Sequence, residues 1–482
     1  MSVLESRNPA RPGEVVWCGE EAGEAEIVSA LCAARAALPA WSALGVEGRR
    51  PFLERWRDAV LASADELARL ITAESGKTLS ESRLEVKSVA DKVAISLDAA
   101  LLARTNDFTV DAGAGRTGRC SFRPHGVMAV IGPFNFPAHL PNGHIVPALA
   151  MGNTIVFKPS EKCPGVGAQF SRLAAAAGLP DGVFTVLQGG AAVASRLVSG
   201  DEVDGVLFTG SWPVGRSIMH ANLDRPGRML ALEMGGSNAA IVCGDAHLRQ
   251  AVLECVRASF ATTGQRCTCT RRIIVSESVA GGFIPAFCKA TSTLLVGPGD
   301  DESAGPVFMG PLISKRARDS ALRFQAERVR AGAALLVRGS AMDRDGWFMT
   351  PSVIQVPRFA LETDEEVFGP VAQLAIARDD DDAVAQANAT DFGLAASIFT
   401  GDEARFRRLA PRVRAGCVNW NTGTAGASSK LPFGGLGRSG NHRPAAAFAS
   451  DYCAFPVAQM EVSGDEAAVP AGVLWDDGWL AG

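Results

Sequence analysis

Four short apolar runs near residues 127–131, 154–158, 184–187 and 205–208 alternate with stretches of helical periodicity, and no other feature restricts the fold as much. Parallel strands joined by crossover helices satisfy such alternation, and ligands bind beyond the carboxyl ends of those strands. Each run ends on polar or glycine residues. They are Gly132-Pro-Phe-Asn-Phe-Pro137, Lys158-Pro-Ser-Glu161, Gln188-Gly-Gly190 and Thr209-Gly-Ser-Trp-Pro-Val-Gly215. Together the four ends make a dinucleotide cradle. Lys158 and Glu161, with Ser160 between them, can hold ribose hydroxyls, and a carboxylate there repels a 2′-phosphate, which favours NAD over NADP. Gly210, Ser211, Trp212, Pro213, Val214 and Gly215 turn from strand to helix, where glycines let backbone approach a pyrophosphate near the helix start. A second glycine segment, Gly435-Leu-Gly437-Arg-Ser-Gly440, fits the G-x-G-x-x-G pattern but follows no strand and reads as a substrate-side loop.

The chain divides around this unit. From residue 24 to 103, apolar residues such as Ile27, Leu31, Ala34, Leu38 and Trp41 recur at helical spacing, which predicts amphipathic helices whose stripes are core rather than site. Ser63 to Glu66 reads as a capping box. Residues 104–123 read as a hairpin with a glycine-rich turn, alternation resumes from 239 to 421 as a second α/β unit, and a strand followed by a loosely patterned tail closes the chain. At 482 residues the sequence exceeds a single core. Its net charge of −5 is spread along the chain, so neither a nucleic-acid surface nor a membrane patch is expected and small molecules are the expected partners. The amino terminus has no apolar signal core, and no run of about eighteen apolar residues could span a bilayer. Eleven cysteines, an odd number, point to reduced thiols and a cytoplasmic location.

Chemistry concentrates in Phe260-Ala-Thr-Thr-Gly-Gln-Arg-Cys267-Thr-Cys269-Thr-Arg-Arg272. The thiolate is the reactive form of cysteine, and a polar, flexible turn with basic neighbours favours it. Cys267 is the candidate nucleophile. Cys267 and Cys269 lack a second Cys or His pair nearby, so no metal is expected. Upstream, Glu233 interrupts two apolar runs in Leu232-Glu-Met-Gly-Gly236. It is either a surface-loop carboxylate or the base that activates water beside a thiol.

These two segments, in this order and at this separation, resemble the aldehyde dehydrogenase superfamily. That resemblance implies a Rossmann-type NAD-binding domain over residues 1–103 and 124–234, an α/β catalytic domain over 235–444, and a small β oligomerisation element from 104–123 and 445–482. It implies a homodimer or a dimer of dimers, with the C-terminal strand crossing to a neighbour. It makes Cys267 the attacking thiol, Asn135 an oxyanion donor beside the Cys267 backbone N–H, and Glu233 the base that hydrolyses the thioester. It places Glu366 and Phe368, in Glu365-Glu-Val-Phe-Gly-Pro370, on the nicotinamide ribose. Within the superfamily, Pro124-His-Gly126, His139 to His144 and Ser439 to Pro444 look like the branch acting on N-succinylglutamate 5-semialdehyde in arginine catabolism. Such a dicarboxylate aldehyde calls for cationic partners, for which Arg443, His442 and Arg271, with Arg272, are the candidates. The alternatives are a general or glutamate-γ-semialdehyde dehydrogenase, or a relative that binds without catalysis.

Overall fold

The computed structural model describes residues 2–113, 115–300, 305–464 and 467–480. Its first sheet is five-stranded and wholly parallel, in the spatial order Phe184–Val186, Thr154–Lys158, Val127–Ile131, Gly205–Thr209, Met229–Glu233. The three central strands are buried at every position, which is why they read as unbroken apolar runs: a parallel sheet is covered on both faces. Alternate residues serve different cores. Met128, Val130, Ile155 and Phe157 pack with the helices after Gly45, whereas Val127, Ala129, Ile131 and Val156 meet Ile27, Leu31 and Ala34 of the helix Glu24–Ala43. Winding reverses between Val127–Ile131 and Gly205–Thr209, and such a switch point opens a crevice at the carboxyl edge.

The second sheet has seven strands in the order Ala334–Val337, Ser352–Gln355, Val371–Ala377, Thr270–Ser276, Asn238–Val242, Ala395–Phe399, Cys417–Trp420. All of its pairings are parallel except the one at Ala334–Val337. The α/β class is therefore as expected, in two units.

The predicted hairpin forms from Phe108–Asp111 and Arg116–Pro124. Ala454–Val462 pairs along its whole length with Arg116–Pro124 of the same chain, completing a three-stranded antiparallel sheet with Arg116–Pro124 at its centre. Two local readings are corrected. Ser63 caps nothing: its hydroxyl donates back to the Ala59 carbonyl, closing the preceding helix. The segment Val3–Asn8 and Arg11–Glu20, to which no element was assigned, is an antiparallel hairpin. Among the described residues no single helix is long and apolar enough to cross a membrane, and all eleven cysteines are free.

Candidate active site

The loop that presents Cys267 is built by strain and restraint. The helix Leu248–Phe260 ends in a tight turn in which Thr262 and Thr263 adopt left-handed φ of 52° and 56°, a conformation costing a β-branched residue on the order of 1–3 kcal/mol. Side chains hold it there. Glu81 accepts the N–H and hydroxyl of Thr262 at 2.9 and 2.8 Å, and the Thr263 hydroxyl donates to Gly310. Gly264 follows at φ 70°, where a Cβ would run into the Gly369 carbonyl. Beyond the thiol, Asn238 donates to the carbonyls of Cys267 and Cys269 at 2.7 and 2.8 Å. Gly236 is required alongside, since a Cβ there would lie 2.7 Å from the Cys267 carbonyl. Asn135 reaches the same loop, donating one amide hydrogen to Gln265 at 2.9 Å and leaving the second free for an oxygen at the thiol.

Glu233 ends the fifth strand of the first sheet and is 1 % exposed, so the loop reading is excluded. Neither of its carboxyl oxygens has a hydrogen-bond partner. Burial pushes its pKa up to about 8, opposed by the adjacent Cys267 thiol and aided by the Glu366 carboxylate. Burial and the facing Glu233 likewise hold the Cys267 pKa well above its usual value. The expectation that basic neighbours favour the thiolate is therefore corrected: Arg266 turns to Glu81 and Thr262, and Arg271 turns to backbone. The carboxyl that faces the thiol is Glu233.

Cys267 lies on the wall of two cavities. The larger, about 770 Å³, opens at the carboxyl edge of the first sheet and is lined by Asn135, Lys158, Ser160, Glu161, Gly210, Ser211, Trp212, Pro213, Val214, Glu233, Glu366 and Phe368. The structure thus brings Lys158, Ser160, Glu161, Gly210 to Val214, Glu366 and Phe368 to one wall, but leaves out the strand end Gln188 to Gly190 and Gly215. That glycine packs inside its helix against Met234. Lys158 donates to the Gly189 carbonyl at 2.9 Å and lies 3.6 Å from Glu161. Glu366 accepts the Gly236 N–H at 3.0 Å. The segment Gly435 to Gly440 also needs correction. It braces the Glu233 strand through Met234 N–H to the Ser439 carbonyl and the Ser439 hydroxyl to Gly235, while Arg438 faces the cofactor-side cavity with its guanidinium 5.6 Å from the Trp212 ring centre.

The smaller cavity, about 250 Å³, runs from Cys267 between Glu81, Glu85, Ser88, Lys92, Phe136, His139, Arg266 and the segments at 426–429 and 445–446. None of the expected carboxylate binders lines it. Arg271 is buried and spends its donors on the carbonyls of Gly236, Gly264 and Arg266, with Glu366 3.6 Å away, which makes it a tie between loops. Arg272 donates to Ser237, Gln386 and Ala387. Arg443 donates to Gly435, and both it and His442 lie in left-handed backbone off the cavity wall. His139 faces the funnel, whereas His144 is enclosed between Tyr452 and Thr209. One signal for the wall was available: Glu81, Leu84, Glu85, Ser88 and Lys92 recur at three- and four-residue spacing along the helix Leu79–Ser96, a largely polar face outside the apolar stripes expected to form the core.

The sequence matches the aldehyde dehydrogenase family over residues 2–454. It is 42 % identical over 473 residues to the N-succinylglutamate 5-semialdehyde dehydrogenase of Novosphingobium aromaticivorans, covering 98 % of this chain and 99 % of that one. It is 43 % identical over 478 residues to N-succinylglutamate 5-semialdehyde dehydrogenase 1 of Caulobacter vibrioides, with the same coverage. Among solved structures, an E. coli NADP dependent enzyme superposes with a TM-score of 0.91 at 33 % identity, covering 96 % of this chain and 95 % of that one. PnpE in complex with nicotinamide adenine dinucleotide superposes equally well at 29 % identity, covering 97 % and 96 %. With a thiol, a buried carboxyl and a nucleotide-sized crevice meeting at one point, and with these similarities over almost the whole sequence, the chain belongs to the aldehyde dehydrogenase family.

Proposed function

We propose that this enzyme oxidises N-succinyl-L-glutamate 5-semialdehyde to N-succinyl-L-glutamate with NAD, in arginine catabolism. The observation that carries the chemistry is the position of Cys267 on the wall shared by two cavities, facing a carboxyl that has no other partner. The names of the curated relatives support the substrate.

In this reading the aldehyde enters through the smaller cavity. The Cys267 sulfur attacks the carbonyl carbon while Glu233 takes the thiol proton, and the carbonyl electron pair moves to oxygen, where the free Asn135 amide hydrogen and the Cys267 N–H stabilise it. When bound, the nicotinamide supplies the hydride acceptor that converts the thiohemiacetal to a thioester. The larger cavity suits that group: Lys158 and Glu161 would hold the adenosine ribose, Gly210 to Val214 the pyrophosphate, and Glu366 and Phe368 the nicotinamide end. Glu161 disfavours a 2′-phosphate, hence NAD. Glu233, once it has released the thiol proton to solvent, accepts a proton from a water whose oxygen attacks the thioester; the C–S bond breaks, Glu233 returns that proton to the Cys267 sulfur, and the acid leaves as its carboxylate after losing its own proton to solvent. Hydrolysis rather than thiol transfer follows from this buried base.

Residues 1–103 and 124–234 serve as the cofactor domain, 235–444 as the catalytic domain, and 104–123 with 445–482 as the assembly element. Phe108, Val110, Met460 and Val462 are all more than half exposed, and the strand pairing puts them on one face of the three-stranded sheet. A second copy of the chain would cover that face, giving a homodimer or dimer of dimers. Eleven free cysteines suit the cytoplasm. Steady-state kinetics with N-succinylglutamate semialdehyde, unsuccinylated glutamate semialdehyde and a simple aliphatic aldehyde tests the substrate. A preference for the first supports it; equal kcat/KM for all three overturns it.

A further inference from the structure

Charges on the wall of the smaller cavity compensate one another, with one exception. Glu81 meets Arg266 at 2.9 Å and the two donors of Thr262. Glu85 pairs with Lys77 and accepts the N–H groups of Ala138 and His139 at 3.0 and 2.9 Å. Lys92 has no carboxylate partner among the described residues. Its Nζ donates to the Ala446 carbonyl at 2.6 Å, a neutral acceptor, although the residue is 2 % exposed. An ammonium so placed keeps two N–H donors and its full charge for whatever occupies the cavity. Burial without a counter-ion lowers its pKa to about 8, and an arriving anion would restore the charged form.

The helix also sets where such an anion sits. Glu81 and Lys92 are on one face of Leu79–Ser96, and at 1.5 Å per residue their Cα atoms are separated by roughly 16 Å along the axis. Glu81 anchors Arg266, the residue before the nucleophile, whereas Lys92 marks the distant end of the same wall. A carboxylate bound there is several bonds from the aldehyde carbon.

We propose that Lys92 is the specificity-determining residue of this cavity, the cation that pairs with a remote carboxylate of the aldehyde substrate. The proposal rests on the reading of Cys267 as the nucleophile and of this cavity as its substrate side. It names one partner for a dicarboxylate where Arg443, His442 and Arg271 supply none.

The test is steady-state kinetics of the full enzyme with NAD, using N-succinylglutamate semialdehyde, its dimethyl ester, a short carboxylate-bearing aldehyde and a neutral aliphatic aldehyde. Lys92→Met is expected to raise KM for the succinylated acid at least tenfold while changing KM for the neutral aldehyde less than twofold, and Lys92→Arg is expected to recover most of the loss. Should Lys92→Met not fold, the wild type carries the test: esterification must raise its KM comparably. Equal KM changes for charged and neutral aldehydes in Lys92→Met, or none, would overturn the proposal. So would a wild type indifferent to esterification. If the wild type prefers the succinylated acid and Lys92→Met keeps that preference, Lys92 is not the anchor and the substrate reading survives. If the wild type instead prefers the shorter acid and Lys92→Met erases that preference, the anchor stands and the succinylated substrate falls.

Discussion

At pH 7 Glu233 holds a proton, because burial raises its pKa to about 8 against the smaller opposing effect of the Cys267 thiol. Its basic form appears only as pH rises through that value. Turnover should therefore increase with pH up to about 8 and level off above. Glu233→Gln should lower turnover by about 10²–10⁴-fold; a variant with wild-type turnover would remove Glu233 from the mechanism. Stability gives an independent check. A folded pKa above the unfolded one means the folded state binds the extra proton between about pH 4.5 and 8, so stability falls as pH rises through that window and the loss persists above it. The melting temperature of Glu233→Gln should match wild type near pH 4.5 and exceed it at pH 9, and a gap independent of pH would contradict the assignment. Asn135 loses a single donor on change to Ala. That should cost about 10²–10³ in kcat with little change in KM.

Among elements, the helix Leu79–Ser96 does most to join the two units: its Glu81 fixes the nucleophile turn and its Glu85 fixes the segment after Asn135. Lys77 neutralises Glu85 inside the protein. Removing one partner of a buried pair strands the other, so Lys77→Met should destabilise the fold by about 3–5 kcal/mol in denaturant titration, whereas an effect under 1 kcal/mol would show the pair to be solvated. The sequence made the central strands legible because Val127–Ile131, Thr154–Lys158, Gly205–Thr209 and Asn238–Val242 are buried at every position, and the expected site at the carboxyl ends of the first three followed from their polar ends, whereas Ala334–Val337 at the edge of the second sheet is partly exposed and carried no such signal. It concealed this helix's polar face, since Glu81, Glu85 and Lys92 look like solvent residues until their partners at Thr262, Ala138 and Ala446 are brought near by tertiary packing. The basic residues beside Cys267 misled for the opposite reason. Arg271 and Arg272 are adjacent to the site in sequence, but their donors satisfy carbonyls that the folded loops leave open.

For the whole molecule, two cavities meet at one thiol, and the proposed reading puts cofactor and aldehyde on separate paths to the same sulfur. The proposed role of Glu161 in disfavouring a 2′-phosphate predicts that Glu161→Ala raises kcat/KM with NADP relative to NAD by about tenfold or more, and an unchanged ratio would remove it from ribose recognition. The proposed assembly uses the exposed face at Phe108, Val110, Met460 and Val462. Met460→Glu should reduce the mass seen in sedimentation, since a charge there opposes burial. The most direct test of the whole account is the rate of NADH formation from N-succinylglutamate semialdehyde, set beside glutamate semialdehyde and an aliphatic aldehyde, in wild type and Cys267→Ala. The account predicts strong preference for the succinylated compound and its complete loss in the variant; turnover that survives the loss of Cys267 would contradict it.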